Sequence, residues 1–358
     1  MWNEPPSPPT PLPRWRGASN TTPHMDRVDV IVVGQGLAGT ALAWQLLRRG
    51  RSVLVVDREP PVTSSRIAAG LLTPITGKRL AVSDRWHELL PVAAAFYRDI
   101  EAHLGVNFFH ALPCARLFAY EIEMKQYAKN ETAFAELACD PDPPVNPDWF
   151  HAPRGGFQMP TAARLDTATY LDASREYFQR LGCYRRFDLK PSADIALSAD
   201  VVTVPPLGVS ASKLVFCQGF DGSTNPYFSD VKFEAAKGEI LTLRIPGLAE
   251  KRVMNRGVWL APDGAELWRA GATYSWEPLD CEPTTTGRDE ILTRLSAYLK
   301  LPVEVVGHAA AVRPILADRH PVIRWNQTHP RIGFFNGLGS KGSLLAPHAA
   351  GLCADECG

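Results

Sequence analysis

The chain has 358 residues, 45% hydrophobic and 21% charged, enough for about two domains with a sizeable core. Its 38 Lys plus Arg balance its 38 Asp plus Glu, which argues against a globally basic nucleic-acid binder and leaves only a local basic groove open. No apolar run approaches the roughly 20 residues of a membrane span. The seven cysteines, an odd number without a Cys-x-x-Cys pair, suit neither a disulfide framework nor a zinc ribbon, so a reducing, cytoplasmic setting is expected.

Residues 1–25 carry seven prolines and show neither helical nor strand periodicity. They are expected to be a disordered Pro-rich leader with Met25 as the working start, a ligand for an SH3-like groove being the alternative. They lack the apolar core of a signal peptide.

The β-branched run Val28–Val33 reads as a buried parallel strand, followed by Gly34-Gln35-Gly36-Leu37-Ala38-Gly39 and a helical pattern from Thr40 to Arg49. Gly50 is its expected stop, and Ser52–Asp57 a second strand, completing a βαβ unit. Residues 60–78 read as a long functional loop. A helix is predicted from near Pro91 to Gly105, with Val92, Phe96 and Ile100 on one face. Residues 139–156 look like a crossing between domains. Asp166 should cap a helix carrying Tyr170, Leu171, Tyr177, Phe178 and Leu181, with strands at 201–204 and 214–217 after it. Alternation between Gly238 and Thr273 predicts antiparallel sheet. Thr286 with Asp289 reads as a capping box for a helix with Ile291, Leu292, Leu295 and Leu299. The chain closes with a strand (332–335), a glycine turn (337–342) and a helix from Ser343. No internal repeat is present.

Gly-x-Gly-x-x-Gly is informative here because a strand precedes it and a helix follows. Gly34 permits the tight turn, Gly36 lets a pyrophosphate approach the backbone, and Gly39 lets helix pack on strand. The helix start offers free N–H groups to phosphate. Asp57, at the end of the second strand, can accept ribose hydroxyls and disfavours a 2′-phosphate. Hydroxyls of Ser64 and Ser65 can reach phosphate, and the small residues Ala68, Ala69 and Gly70, with Leu71, let the backbone pass close to a flat ring. Ala311-Val312-Arg313-Pro314 and Gly337-Leu338-Gly339-Ser340-Lys341-Gly342 then bring a second helix N-terminus to the same face.

With these three blocks in order from about residue 26, the sequence resembles the D-amino-acid oxidase (DAO) family of FAD-dependent oxidoreductases. The Gly-Ser-Lys-Gly turn with Ala346-Pro347 is similar to the FAD domain of bifunctional wobble-uridine tRNA modification enzymes, for whose methyltransferase half this chain has no room. Phe216-Cys217-Gln218-Gly219 stands where the family usually has Ala-Thr-Gly or Ala-Ala-Gly. The resemblance implies an α/β fold in which a Rossmann-like FAD-binding domain (26–80, 157–232 and 306–358) interleaves with an α+β substrate domain on an antiparallel sheet (81–156 and 233–305).

It also implies non-covalent FAD, with Leu37, Ala38 and Arg58 joining the βαβ contacts. Gln218 and Gly219 fall on the adenosine side, and Gly339, Ser340, Lys341, Gly342 and Ser343 beside the ring. Arg313 would clamp a substrate carboxylate, Trp259 would lie over the substrate, and Lys341 would supplement the last helix's N–H groups; pairing of Arg313 with Asp318, plain packing of Trp259 and a solvated turn lysine at 341 are the alternatives. Hydride transfer to FAD from a carbon beside nitrogen, in a small amine or amino acid, is the implied activity. A step on a modified tRNA nucleoside, a non-catalytic FAD module and a nicotinamide dehydrogenase are the other readings. No metal set or DNA-binding element is expected.

Overall fold

The computed structural model describes residues 26–358, so the proline-rich leader lies outside the described residues. The first strand, β1 (Asp26–Val33), is followed by α1 (Leu37–Arg48) and β2 (Val53–Asp57). Alternate side chains of β1 enter two different cores, Val30 and Val32 on one face and Ile31 and Val33 on the other. A strand covered on both faces has no wet side, which is why its sequence is continuously apolar rather than alternating. Next come α2 (Ser64–Ile67), α3 (Trp86–Leu104), β3 (Cys114–Leu117), β4 (Gly156–Met159), α4 (Thr167–Arg180), β5 (Tyr184–Arg186), β6 (Ala196–Leu197), β7 (Val202–Val204) and β8 (Val209–Phe216). The remainder adds β9 (Ala236–Arg244), β10 (Val253–Asn255), β11 (Trp259–Pro262), β12 (Leu267–Gly271), α5 (Thr285–Ser296), β13 (Glu304–Arg313), β14 (Val322–Trp325), β15 (Ile332–Asn336) and α6 (Gly342–Glu356).

Two sheets organise these elements. In the larger, β5, β2, β1, β8 and β15 run parallel, with β1 pairing β8 from Asp26↔Val209 to Val33↔Phe216; β6, β7 and β14 extend it in antiparallel fashion. The second, in the order β13-β9-β12-β11-β10-β3-β4, is antiparallel except where β10 lies parallel to β3. Both β4 and β13 therefore belong to the second sheet. β13 begins two residues before the expected segment limit at 306, and β4 one residue before that at 157. A Rossmann-like parallel sheet interleaved with an antiparallel one is the fold the resemblance implied. The segment 60–78 is less irregular than expected, holding α2 and two two-residue strands, Leu71–Leu72 and Ile75–Thr76.

Helix packing sets where the site opens. Trp44 of α1 donates to Ser174 Oγ (2.9 Å) and stacks on Tyr177 at 4.9 Å, fixing α1 against α4. Buried Tyr97 of α3 donates to the Ser343 carbonyl (2.9 Å), and Gln45 donates to the Pro347 carbonyl (3.1 Å). Asp166 caps α4 by accepting from Thr169 N (3.1 Å), as expected.

Three local expectations need correction. α3 starts at Trp86, not near Pro91; the proline sits inside the helix on its exposed side, and His87, one turn earlier, whose carbonyl loses that donor, is exposed too. Its buried face is Leu89, Ala93, Phe96, Tyr97 and Ile100, while Val92 is exposed. The cap of α5 is Thr284, whose Oγ1 accepts from Gly287 N (2.9 Å), so Thr286 lies within the helix and Leu299 beyond it.

Candidate active site

The turn after β1 is built by steric necessity. Gly34 has φ +107°, and a Cβ there would stand 2.4 Å from the Cys217 carbonyl oxygen. A Cβ on Gly39 would stand 1.8 Å from the Gly34 oxygen, so this glycine closes helix onto turn. Gly36 differs, because a Cβ there would meet only the movable Ser65 hydroxyl, at 2.9 Å. Ser65 Oγ already accepts from Leu37 N (3.1 Å) at the start of α1. Gln35 turns its side chain away from this opening: its Nε2 donates to Leu171 O (2.8 Å) and its Oε1 accepts from Arg175 (3.0 Å).

Asp57 also supports the turn. One carboxylate oxygen accepts from Gln35 N and the other from Glu59 N, both at 2.6 Å, which leaves lone pairs for further donors. Arg58 pairs with Asp221 at 2.5 Å across the same opening. In the Phe216–Gly219 segment, Gln218 Oε1 accepts from Asn225 (2.8 Å) and the Gly219 carbonyl accepts from Asn336 (2.8 Å).

The loop after α2 is held from outside. Arg269 donates to the Ala68 carbonyl (2.9 Å) and the Ile67 carbonyl, and Arg164 donates to the Ala69 carbonyl (3.2 Å) and pairs with Asp263. Burial lowers the Arg269 pKa, opposed by the charge of Asp263. Arg66 binds both oxygens of Asp172 at 2.6 and 2.8 Å, locking α2 to α4. Gly70, at φ +71°, passes so close to β-strand backbone that a Cβ would stand 1.8 Å from Leu165 O.

These segments enclose a cavity of about 710 Å³, within the range of small-molecule and cofactor clefts. Its walls include Gly34, Gly36, Leu37, Ala38, Asp57, Arg58, Ser64, Ser65, Ala68, Ala69, Gly70, Leu71, Gln218, Gly219, Trp259, Arg313, Gly339, Ser340, Gly342 and Ser343. The two helix starts meet there directly: a Cβ on Gly342 would lie 3.0 Å from Leu37 Cδ1. Of the residues named from sequence, Gly39 and Lys341 are outside the lining. Gly39 is spent on packing. Lys341 ends a single 3-10 turn, half-buried, where burial lowers its pKa and the charge of Asp84 opposes that.

Arg313 lies at the end of β13, its guanidinium against Gly238, where a Cβ would stand 2.0 Å away. It donates to Thr273 O (3.2 Å) and Lys237 O (3.5 Å) and sits 5.2 Å from the Tyr274 ring centre. Burial lowers its pKa, and among the described residues no carboxylate, Asp318 included, is within ion-pair distance. Trp259 is half-buried on β11, opposite Gly271.

Sequence reasoning missed Phe187–Leu189, Asn255, Thr273, Tyr274 and Cys281 on the walls, and the outer clamps Arg164 and Arg269. Gly238, a glycine inside a strand, was the available signal of a close approach. Among the described residues no cluster of metal-binding side chains occurs, and no helix is long and apolar enough to cross a membrane.

A glycine turn between parallel strand and helix, opening into a cleft roofed by a second sheet, defines a dinucleotide-binding oxidoreductase fold. The profile of the DAO family, FAD dependent oxidoreductases, matches residues 29–356, and the chain belongs to that family. The glycine cradle, the paired helix starts and the cavity size fit FAD, the cofactor of that family. The fold is similar to glycine oxidase from Geobacillus kaustophilus (TM-score 0.79, 18% identity, covering 93% of this chain and 95% of that one). It is also similar to iminodiacetate oxidase (IdaA) from Chelativorans sp. BNC1 (TM-score 0.72, 18% identity, 91% and 94%). In sequence, the chain is 24% identical over 345 residues to the tRNA 5-methylaminomethyl-2-thiouridine biosynthesis bifunctional protein MnmC of Burkholderia mallei (strain SAVP1), covering 87% of this chain. The chain spans about half the length of the curated MnmC relatives it matches.

Proposed function

We propose that this protein oxidises a C–N bond in a small amino acid or carboxylate-bearing amine. The observation that carries the reading is Arg313, a cation without an acidic partner among the described residues, half-buried in the wall of the cofactor cavity. Two of its N–H groups go to carbonyls and the rest of the fork is available to a carboxylate. Burial disfavours the bare guanidinium charge, so an anionic partner stabilises it. FAD, when bound, supplies the two-electron acceptor for the hydride leaving the carbon beside nitrogen. Arg313 then orients the substrate by its carboxylate, and Trp259 limits where that carbon can lie. The start of α6, with the N–H groups of Gly342 and Ser343, offers positive potential to the cofactor; Lys341 is not part of this proposal.

In this reading residues 26–80, 157–232 and 306–358 hold FAD non-covalently. Residues 81–156 and 233–305 cover the substrate, with β4 and β13 contributing to the covering sheet. A reducing, cytoplasmic setting suits the seven free cysteines. The named activities of the structural neighbours, glycine oxidase and iminodiacetate oxidase, support small amino-acid chemistry.

The test is a visible spectrum of the purified protein, then anaerobic titration with a panel of amino acids and secondary amines. Bleaching of the yellow chromophore by a carboxylate-bearing amine is expected; inertness to the whole panel would favour a non-catalytic FAD module. A second reading, a step on a modified tRNA nucleoside, draws on the MnmC similarity and requires salt-dependent tRNA binding.

A further inference from the structure

We infer that the substrate carries a flat, unsaturated substituent, held in a side cavity floored by Tyr274 and Trp276. This rests on Arg313 being the carboxylate holder and adds the chemical class of what else the substrate bears. A smaller cavity, lined by Lys78, Glu234, Tyr274, Trp276, Ile315 and Arg319, adjoins the main one. Tyr274 lines both, and the chain passes from Arg313 and Pro314 in the first to Ile315 in the second. Because the Tyr274 ring is 5.2 Å from the Arg313 guanidinium carbon, a carboxylate on Arg313 lies beside the opening. A group on the amine or side chain has its route past Tyr274.

The floor is aromatic and built. Tyr274 and Trp276 are 47% and 64% exposed, with ring centres 5.2 Å apart at 64°. Exposed aromatic rings on a loose loop would carry little meaning, but this loop is anchored at three points from β9. Lys237 and Ser275 exchange backbone hydrogen bonds (2.7 and 3.0 Å). The fully buried Lys237 ammonium pairs with Asp280 at 2.5 Å. Glu239 accepts from Thr284 N (2.8 Å) and Thr284 Oγ1 (2.7 Å). Between Thr273, whose N–H donates to the Glu239 carbonyl (3.3 Å), and the Asp280 anchor, the rings present their faces and edges without a large ordering cost on binding, the condition for a stacking platform. Around it stand two cations, Lys78 and Arg319, and one carboxylate, Glu234, none of them in an ion pair among the described residues. That rim favours a substituent ending in an anionic or acceptor group over a cationic one. An amino acid as small as glycine would leave the whole subsite to water.

The experiment uses the FAD-loaded protein and measures, by calorimetry under anaerobic conditions, binding of N-methylglycine, N-benzylglycine and N-(4-carboxybenzyl)glycine. N-benzylglycine should bind about tenfold tighter than N-methylglycine, the scale of one added aromatic contact. Trp276→Ala should bring that ratio to about one, and Trp276→Phe should restore most of it. Lys78→Ala should remove the further gain of the carboxybenzyl ligand. Equal affinity of the three ligands, or a Trp276→Ala loss shared equally by all of them, overturns the subsite. Binding in the expected order without bleaching the chromophore upholds the subsite and overturns the proposed oxidation instead.

Discussion

The two walls of the cavity are made in opposite ways. On the nucleotide side, contiguous residues do the work: Gly34 to Gly39 and Gly339 to Ser343 each form a turn and a helix start within six residues. On the side proposed to face the substrate, Arg313, Gly238, Trp259 and Tyr274 come from β13, β9, β11 and the loop after β12. The first wall is specified by backbone sterics, where one methyl group decides between fit and collision. The second is specified by side-chain placement across a sheet, where register decides who faces whom.

That contrast can be broken most sharply at the glycines. Gly39→Val should leave no folded protein, since a Cβ 1.8 Å from the Gly34 oxygen has nowhere to go, whereas Gly36→Val should yield folded, colourless protein. Circular dichroism together with the visible flavin absorbance reads both; a Gly36→Val protein that stays fully yellow would refute the cradle. Next in size is Arg313→Leu, expected to lower kcat/KM for carboxylate-bearing substrates by about 30- to 5,000-fold, the range for removing one partner of a buried charge pair. Neutral amines should change far less, and equal losses on both would make Arg313 structural.

A smaller effect is expected at the outer clamps. Arg269→Leu leaves the Ile67 and Ala68 carbonyls without their donor, a cost of about 1–3 kcal/mol. It should appear as a weaker FAD affinity by about tenfold; unchanged FAD affinity would mean the loop holds itself. The smallest concerns acid. Burial pushes the Glu250 carboxyl up, but hydrogen bonds and charge from Arg252 and the backbone N–H of Lys251 and Arg252 more than offset it, so its pKa falls below the usual 4.5. A depressed folded pKa contributes stability above pH 4.5 that is lost as pH falls through the lowered value. Thermal melts should therefore show Glu250→Gln losing stability at pH 7 and converging with wild type in acid.

The same contrast explains what could be read from the sequence. The βαβ unit and the terminal glycine turn were legible because their constraints are local: apolar run, glycine spacing, helix start. Asp166 was legible as a cap for the same reason, while Thr286 misled because Thr284, two residues earlier, already takes the cap with help from Glu239 on β9. Arg313 was legible only through family resemblance. Tyr274, Arg164 and Arg269 carried no local sign at all, since their roles arise from sheet pairing and from carbonyls about a hundred to two hundred residues away in sequence. Lys341 reads from sequence as a charge beside a helix start; in the fold it ends a 3-10 turn, half-buried, outside the cavity lining.

Strand β9 has a consequence for how this protein could acquire new preferences. Gly238 faces Arg313, while its neighbour Lys237 grips the start and middle of the 275–284 segment, at Ser275 and Asp280, and its neighbour Glu239 grips the end, at Thr284. Because both grips come from one rigid strand, the residues between them form an exchangeable cassette. Its sequence can be rewritten, and the mouth of the pocket reshaped, while the gripping residues and the chemistry beneath them stay where they are.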